Sequence, residues 1–164
     1  EWAIPGMAGL RHRVGGLEKE NGKGNLSTDP ENHAKMVYLR QEKVNRVANY
    51  IPEQKVQGNP DGDLLVIGWG GTSGAWKLAV DEMNQEGKKV AYAHFNFISP
   101  LPKNTEEILK KYKKIVVCEL NNGQFVNYLR MNFPQYHMHQ YNKIMGLPFE
   151  VGELKEKFNE ILGE

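Results

Sequence analysis

The chain reads as an α/β protein: a three-layer, doubly wound, mostly parallel sheet preceded by an N-terminal arm and a helix. Three observations predict this. From Asp63 onward, short apolar runs alternate with amphipathic segments, strand then helix, four times over, which is the order of a parallel sheet covered on both faces. The first run, Asp63-Leu64-Leu65-Val66-Ile67-Gly68-Trp69, passes directly into a glycine-rich turn, Gly70-Gly71-Thr72-Ser73-Gly74, and then into a helix at Ala75-Trp76-Lys77-Leu78, which is the opening of a β-α-β unit. Finally, 164 residues with 40% hydrophobic and 25% charged side chains are enough to bury one ordinary core.

The elements follow in chain order. Residues 1–30 are rich in glycine and turn formers (Pro5-Gly6, Gly15-Gly16, Asn21-Gly22, Lys23-Gly24), which suits an arm leaving a preceding domain. Residues 31–60 form a linking helix and a hinge. Thr28 or Asp29 caps the helix, Pro30 fits its first position and Glu31 meets the positive end of the dipole. Ala34, Val37, Val44, Ala48 and Ile51 make its apolar stripe, Pro52 ends it, and the turn cluster Gln57–Gly62 is the hinge. Residues 61–164 are the α/β domain. Its second strand is Lys89–Phe95, and its second helix starts near Asn104, a cap with Glu107 three positions on. The third strand is Ile115–Leu120, with a helix opening at Asn122-Gly123-Gln124. A fourth, weaker strand covers about Gln135 to Gln140. The last helix shows Val151, Leu154, Phe158, Ile161 and Leu162 on one face.

Composition excludes several function classes. Lys plus Arg is 21 and Asp plus Glu is 20, a net +1, so no dominant field steers the chain toward nucleic acid or an anionic membrane. No run approaches a membrane span, and no basic-then-apolar leader is present, so no membrane partner is expected. The one cysteine, Cys118, lies in an apolar strand and reads as an inert core thiol; alone it rules out a four-cysteine zinc or iron–sulfur site. The absence of an initiating methionine before Glu1 suggests a piece of a larger protein.

Ligands of such sheets bind outside the carboxyl ends of the strands. The residues arriving there are Trp69 to Ser73, Asn96 to Ser99, Glu119 with Asn121, Asn122 and Gln124, and further on Asn142 and Lys143. Among the first three groups only Glu119 is an acid or base, and no nucleophile–base–orienter set is visible, so no catalytic residue is assigned. Gly70, Gly71, Thr72 and Ser73 are a candidate anion-binding turn at a helix N-terminus. The turn is not a dinucleotide fingerprint, because Ser73 replaces the third glycine and no acid follows the second strand near Phe95-Asn96-Phe97. His137 and His139 share a strand face at metal-binding spacing, yet no third ligand stands near them, so no metal is assigned. His94 reads as a hydrogen-bonded core or edge residue. Asp61-Gly62-Asp63 and Asn121-Asn122 have the wrong order and spacing for a thiamine diphosphate motif and read as turn and cap residues.

Several segments, in order, resemble the C-terminal part of the alpha subunit of 2-oxoacid:ferredoxin oxidoreductases, especially the 2-oxoglutarate type. They are Gly15-Gly16-Leu17-Glu18 with the Asn-Gly turn after it, Asp29-Pro30-Glu31-Asn32-His33 with Arg40 and Lys43, Gly68-Trp69-Gly70, Ser99-Pro100-Leu101-Pro102, and Glu119-Leu120-Asn121-Asn122-Gly123-Gln124. One departure is Lys19-Glu20, where the family often has His-Asp. The resemblance implies a transketolase C-terminal-like domain with an assembly role. The whole cytoplasmic complex would convert 2-oxoglutarate and coenzyme A to succinyl-coenzyme A and reduce ferredoxin. It also implies that thiamine diphosphate, magnesium and iron–sulfur clusters are held outside this chain, which binds no cofactor itself and is inactive alone. The implied partners are the preceding catalytic domain, the beta subunit and, at the level of the complex, ferredoxin. Near substrate or coenzyme A the resemblance places Arg11, His12, Arg13 and Glu18. From the residues alone, two other readings stay open: an independent nucleotide-binding protein using the Gly68–Gly74 loop, and a stand-alone interaction module docking through the arm.

Overall fold

A computed structural model describes residues 3–163, which divide into two compact units, Glu1–Val44 and Asn45–Glu164. Among its described residues, the regular elements of the first unit are a short antiparallel bridge and a helix. Lys19 and Leu26 form an antiparallel bridge, closed by hydrogen bonds from Glu20 N to Asn25 O (2.7 Å) and from Ser27 N to Glu18 O (3.1 Å). Helix α1 (Pro30–Arg46) begins as its residues dictate: Asp29 is the cap, its carboxylate accepting from Glu31 N at 3.3 Å and Asn32 N at 3.0 Å. A 3-10 turn, Val47–Asn49, continues the helix to the expected end. The apolar stripe, however, covers no core. No residue of α1 is buried, and Val37 and Val44 are 44% and 42% exposed. Periodicity identifies an amphipathic face but not what covers it.

The second unit is a five-stranded sheet in the order β1-β3-β2-β4-β5. Its strands are β1 (Gln57–Gly58), β2 (Leu64–Trp69), β3 (Val90–Phe95), β4 (Lys114–Glu119) and β5 (His139–Asn142). β2, β3, β4 and β5 are parallel, while the two-residue β1 pairs antiparallel with β3 at the edge. Gln57 and Gly58, read from sequence as part of the hinge, are therefore an edge strand. Its Gly58 packs so tightly that a Cβ would lie 2.7 Å from Val90 O.

Alternation along each strand divides the core into two layers. Leu64, Val66, Val90, Tyr92, Val116 and Cys118 pack against helices α2 (Ser73–Gln85) and α5 (Val151–Gly163) through Trp76, Val80, Met83, Leu154 and Phe158. Leu65, Ile67, Ala91, Phe95, Ile115 and Val117 pack against α3 (Thr105–Leu109) and α4 (Gln124–Asn132) through Ile108, Leu109, Phe125 and Leu129. With each large buried side chain worth roughly 1.5–3 kcal/mol, these two layers hold the domain together. The three-layer, doubly wound reading holds.

Two local expectations need correction. The fourth parallel strand is His139–Asn142, not Gln135–Gln140. A turn closed by Tyr136 N to Phe133 O takes up the earlier residues, and pairing starts only where His139 comes opposite Val116. Asn104 does not cap α3 with its side chain. That amide instead accepts from Gln54 N (2.9 Å) and donates to Gln54 O (3.0 Å), holding the segment before β1.

Candidate functional site at the carboxyl edge of the sheet

β2 connects through α2 to β3 on one side, and α3 then brings the chain back to β4 on the other, so the topological switch point lies between β2 and β4. Their carboxyl ends, Trp69 and Glu119, meet there. Glu119 is 2% exposed, and its carboxylate is fully engaged. Oε2 accepts from Trp69 Nε1 (3.1 Å), Asn121 Nδ2 (3.0 Å) and Phe125 N (2.8 Å), and Oε1 accepts from Val126 N (2.9 Å). The reason is local. α4 is preceded by Gly123 at φ 86°, which has no side chain to cap the free N–H groups of the first turn. Glu119 caps Phe125 and Val126 instead, while Asn121 Oδ1 accepts from Gly123 N and Gln124 N, each at 2.9 Å. The Glu119–Gln124 segment is thus a capping device. The one acid among the edge groups is a structural acceptor, and the switch point between β2 and β4 is bridged by the Trp69–Glu119 hydrogen bond.

The glycine turn has an equally physical explanation. A Cβ on Gly68 would fall 1.8 Å from Cζ3 and 1.9 Å from Cη2 of Trp76, whose ring is buried between His94 and Phe149. Gly70 has φ +73°, a conformation that side chains rarely adopt, and opens the 3-10 turn Gly70–Thr72 before α2. Thr72 Oγ1 donates to Trp69 O (3.1 Å), so that hydroxyl closes the turn. Gly70, Gly71 and Ser73 are exposed. Beside the turn a cleft of about 300 Å³ is lined by Gly71, Thr72, Gly74, Ala75, Leu120, Pro148 and Phe149, mostly apolar residues without a charge. A second cleft, about 430 Å³, lies along Gln54, Lys55, Ser73, His94 and Asn96. His94 is half-buried and its ring has a backbone hydrogen bond with Gly70, while its Nδ1 is enclosed without a hydrogen-bond partner. Burial lowers its basicity, opposed in part by the Gly70 backbone.

The candidate residues of the arm separate in the first unit. Arg11, His12 and Arg13 are exposed; His12 Nδ1 lies 2.8 Å from Leu10 O, and neither arginine has a partner among the described residues. Glu18 is committed to a cluster. Arg40 donates to it from both prongs, Nη1 to Oε1 at 3.0 Å and Nη2 to Oε2 at 3.1 Å, and His33 Nδ1 lies 2.9 Å from Oε2. Arg40 first and His33 second draw the Glu18 carboxyl down to about 2. His33 and Arg40 lie in the segments that carry the resemblance, yet nothing in their local sequence marks them as partners of Glu18. No local pattern marks a pair 22 positions apart.

His137 lies two positions before β5 begins at His139, and the two rings meet edge-on with centroids 4.8 Å apart. Among the described residues no group of three His, Cys, Asp or Glu could hold a metal ion. Cys118 is buried, and burial raises its thiol further above its ordinary range, with Glu119 adding to the effect. No described helix is long and apolar enough to cross a membrane.

Fold and site together define a class: a doubly wound α/β module whose edge carboxylate, Glu119, caps its own helix α4. Residues 62–154, more than half of the chain, match the model of pyruvate:ferredoxin oxidoreductase core domain II, and the chain belongs to that family. It is 40% identical over 156 residues to 2-oxoglutarate oxidoreductase subunit KorA of Mycobacterium tuberculosis, covering 94% of this chain and 23% of the relative. It is 30% identical over 144 residues to the 2-oxoacid:ferredoxin oxidoreductase subunit alpha of Saccharolobus solfataricus, covering 85% of this chain and 23% of that one. A solved structure, the 2-oxoglutarate:ferredoxin oxidoreductase from Magnetococcus marinus with 2-oxoglutarate, coenzyme A and succinyl-CoA bound, superimposes with a TM-score of 0.84 at 27% identity. That match covers 98% of this chain and 28% of the other. The chain thus spans about a quarter of the length of these relatives.

Proposed function

We propose that this chain is the assembly domain of the alpha subunit of a thiamine diphosphate-dependent 2-oxoacid:ferredoxin oxidoreductase. Acting on 2-oxoglutarate and coenzyme A, the whole complex would form succinyl-coenzyme A and reduce ferredoxin. Thiamine diphosphate, magnesium and the iron–sulfur clusters then belong to the preceding catalytic domain and the beta subunit in a cytoplasmic complex. The arm is the part of this chain that reaches an anionic group of 2-oxoglutarate or coenzyme A, through Arg11, His12 and Arg13.

One observation carries the assembly reading: from residue 3 to residue 50 no described side chain is buried, although Ile4, Met7, Val14, Leu17 and Leu26 are all more than half exposed. Surface of this kind is covered in the working protein by another polypeptide. The names of the relatives support this choice of complex. The test is reconstitution. The 164-residue chain alone should show no coenzyme A-dependent 2-oxoglutarate oxidation, and it should co-purify with the separately expressed remainder of the subunit. Turnover by the isolated chain, or failure to associate, would remove the assembly role.

A further inference from the structure

Among the described residues, no long-range hydrogen bond holds the basic arm. Hydrogen bonds of the described residues 3–17 run only to near neighbours: Met7 N to Ile4 O, Leu10 N to Met7 O and His12 to Leu10 O within the segment, and Lys19 Nζ to Leu17 O at its end. Glu18 is the first residue of the described chain with a long-range contact, and it makes three at once, to both prongs of Arg40 and to His33. Arg40 and His33 stand two turns apart on one side of α1, so the carboxylate is gripped from a rigid element.

We propose that Arg40 is a positioning residue: by holding Glu18 with both prongs of its guanidinium, it fixes the point from which Arg11 and Arg13 are presented to an anionic substrate group. This rests on the reading that the arm meets 2-oxoglutarate or coenzyme A. Arg13 stands five positions before Glu18, so the extended chain lets Arg13 range at most about 18 Å from the anchor. Fixing the anchor therefore raises the local concentration of the arm's guanidinium groups at any site inside that radius. The two-pronged geometry is the property that matters, because a lysine keeps the charge of Arg40 but grips a carboxylate at one point. With a Glu18 side chain 19% exposed and an Arg40 side chain 55% exposed, the pair adds little to stability and much to geometry.

The test uses the assembled complex and steady-state kinetics for both substrates, with variants R11A, R13A, R40K, E18Q and the double variant R13A/R40K. The expected result is that R13A or R11A raises the KM of one anionic substrate roughly 10-fold, and that R40K and E18Q raise the same KM by a similar factor with kcat within about twofold. The double variant should be no worse than R13A alone, because a released arm and a truncated arm lose the same contact. If neither arm variant changes either KM, the reading of the arm itself is wrong. If an arm variant acts but R40K matches the parent, or the double variant multiplies the two losses, the positioning role is overturned while the arm stands. A fall of kcat, both affinities and Tm together in R40K would show a merely structural ion pair and would overturn it as well.

Discussion

Glu119→Gln is the most incisive perturbation of the fold, because it changes one acceptor oxygen into a donor without altering the volume of the side chain. Three donors, Trp69 Nε1, Asn121 Nδ2 and Phe125 N, converge on Oε2, so the glutamine places its carbonyl oxygen there and turns its NH2 toward Val126 N. The bond to Val126, 2.9 Å in the parent, becomes a donor facing a donor. Losing a charge-assisted bond costs about 1.5–3 kcal/mol, and an unsatisfied buried N–H costs about 1–3 kcal/mol more. Removing the buried negative charge returns part of that sum, since its desolvation cost disappears with it. A net loss of about 2–4 kcal/mol follows, or roughly 6–15 °C in Tm for a domain of this length. The assay is chemical denaturation together with amide hydrogen exchange at Phe125 and Val126. Glu119→Gln should lose protection at those two amides before any other in α4. A variant within about 1 kcal/mol of the parent, with both amides still protected, would refute the dependence of α4 on an anionic cap.

Other expectations follow from single contacts. Gly68→Ala should destabilise by about 3 kcal/mol, since the Trp76 ring, 1% exposed, must leave its place; an unchanged denaturation midpoint would show that the ring moves freely. Asp29→Ala should cost α1 about 1 kcal/mol by freeing Glu31 N and Asn32 N, and loss of helical ellipticity at the start of α1 is the measure. The Glu18 carboxyl falls from its ordinary 4.5 to about 2 in the fold, so the cluster's contribution is full above pH 4.5 and vanishes as pH falls through about 2. A carboxyl-carbon NMR titration of Glu18 should give a midpoint near 2, and one near 4.5 would show that Arg40 does not hold it.

Much of the architecture is legible in the residues. Asp29-Pro30-Glu31 announces the start of α1, the Val66-Ile67-Gly68-Trp69-Gly70 passage announces β2 turning into α2, and the spacing of Leu154, Phe158 and Ile161 announces α5. β5 is harder to read because Gln135–Asn142 is largely polar, and the pairing that begins at His139 depends on where Val116 lies. The candidate site is harder still. Glu119 has the residue type of an acid–base catalyst, but its lone pairs are taken up by Trp69, 50 positions away, and by the first turn of α4, which Gly123 has no side chain to cap. Glu18 is a free carboxylate in the sequence, but in the fold Arg40 and His33 occupy both of its oxygens.

The sequence by itself determines the succession of strands and helices and their buried faces, since periodicity and capping are written in residues a few positions apart. Only the tertiary structure decides which polar groups remain available. A carboxylate between Trp69 and α4, a glycine under the Trp76 ring and an arginine closed on Glu18 owe their roles to neighbours brought in by the path of the chain. Local spacing carries no record of those neighbours, because side chains far apart in sequence meet only after the strands and helices have packed.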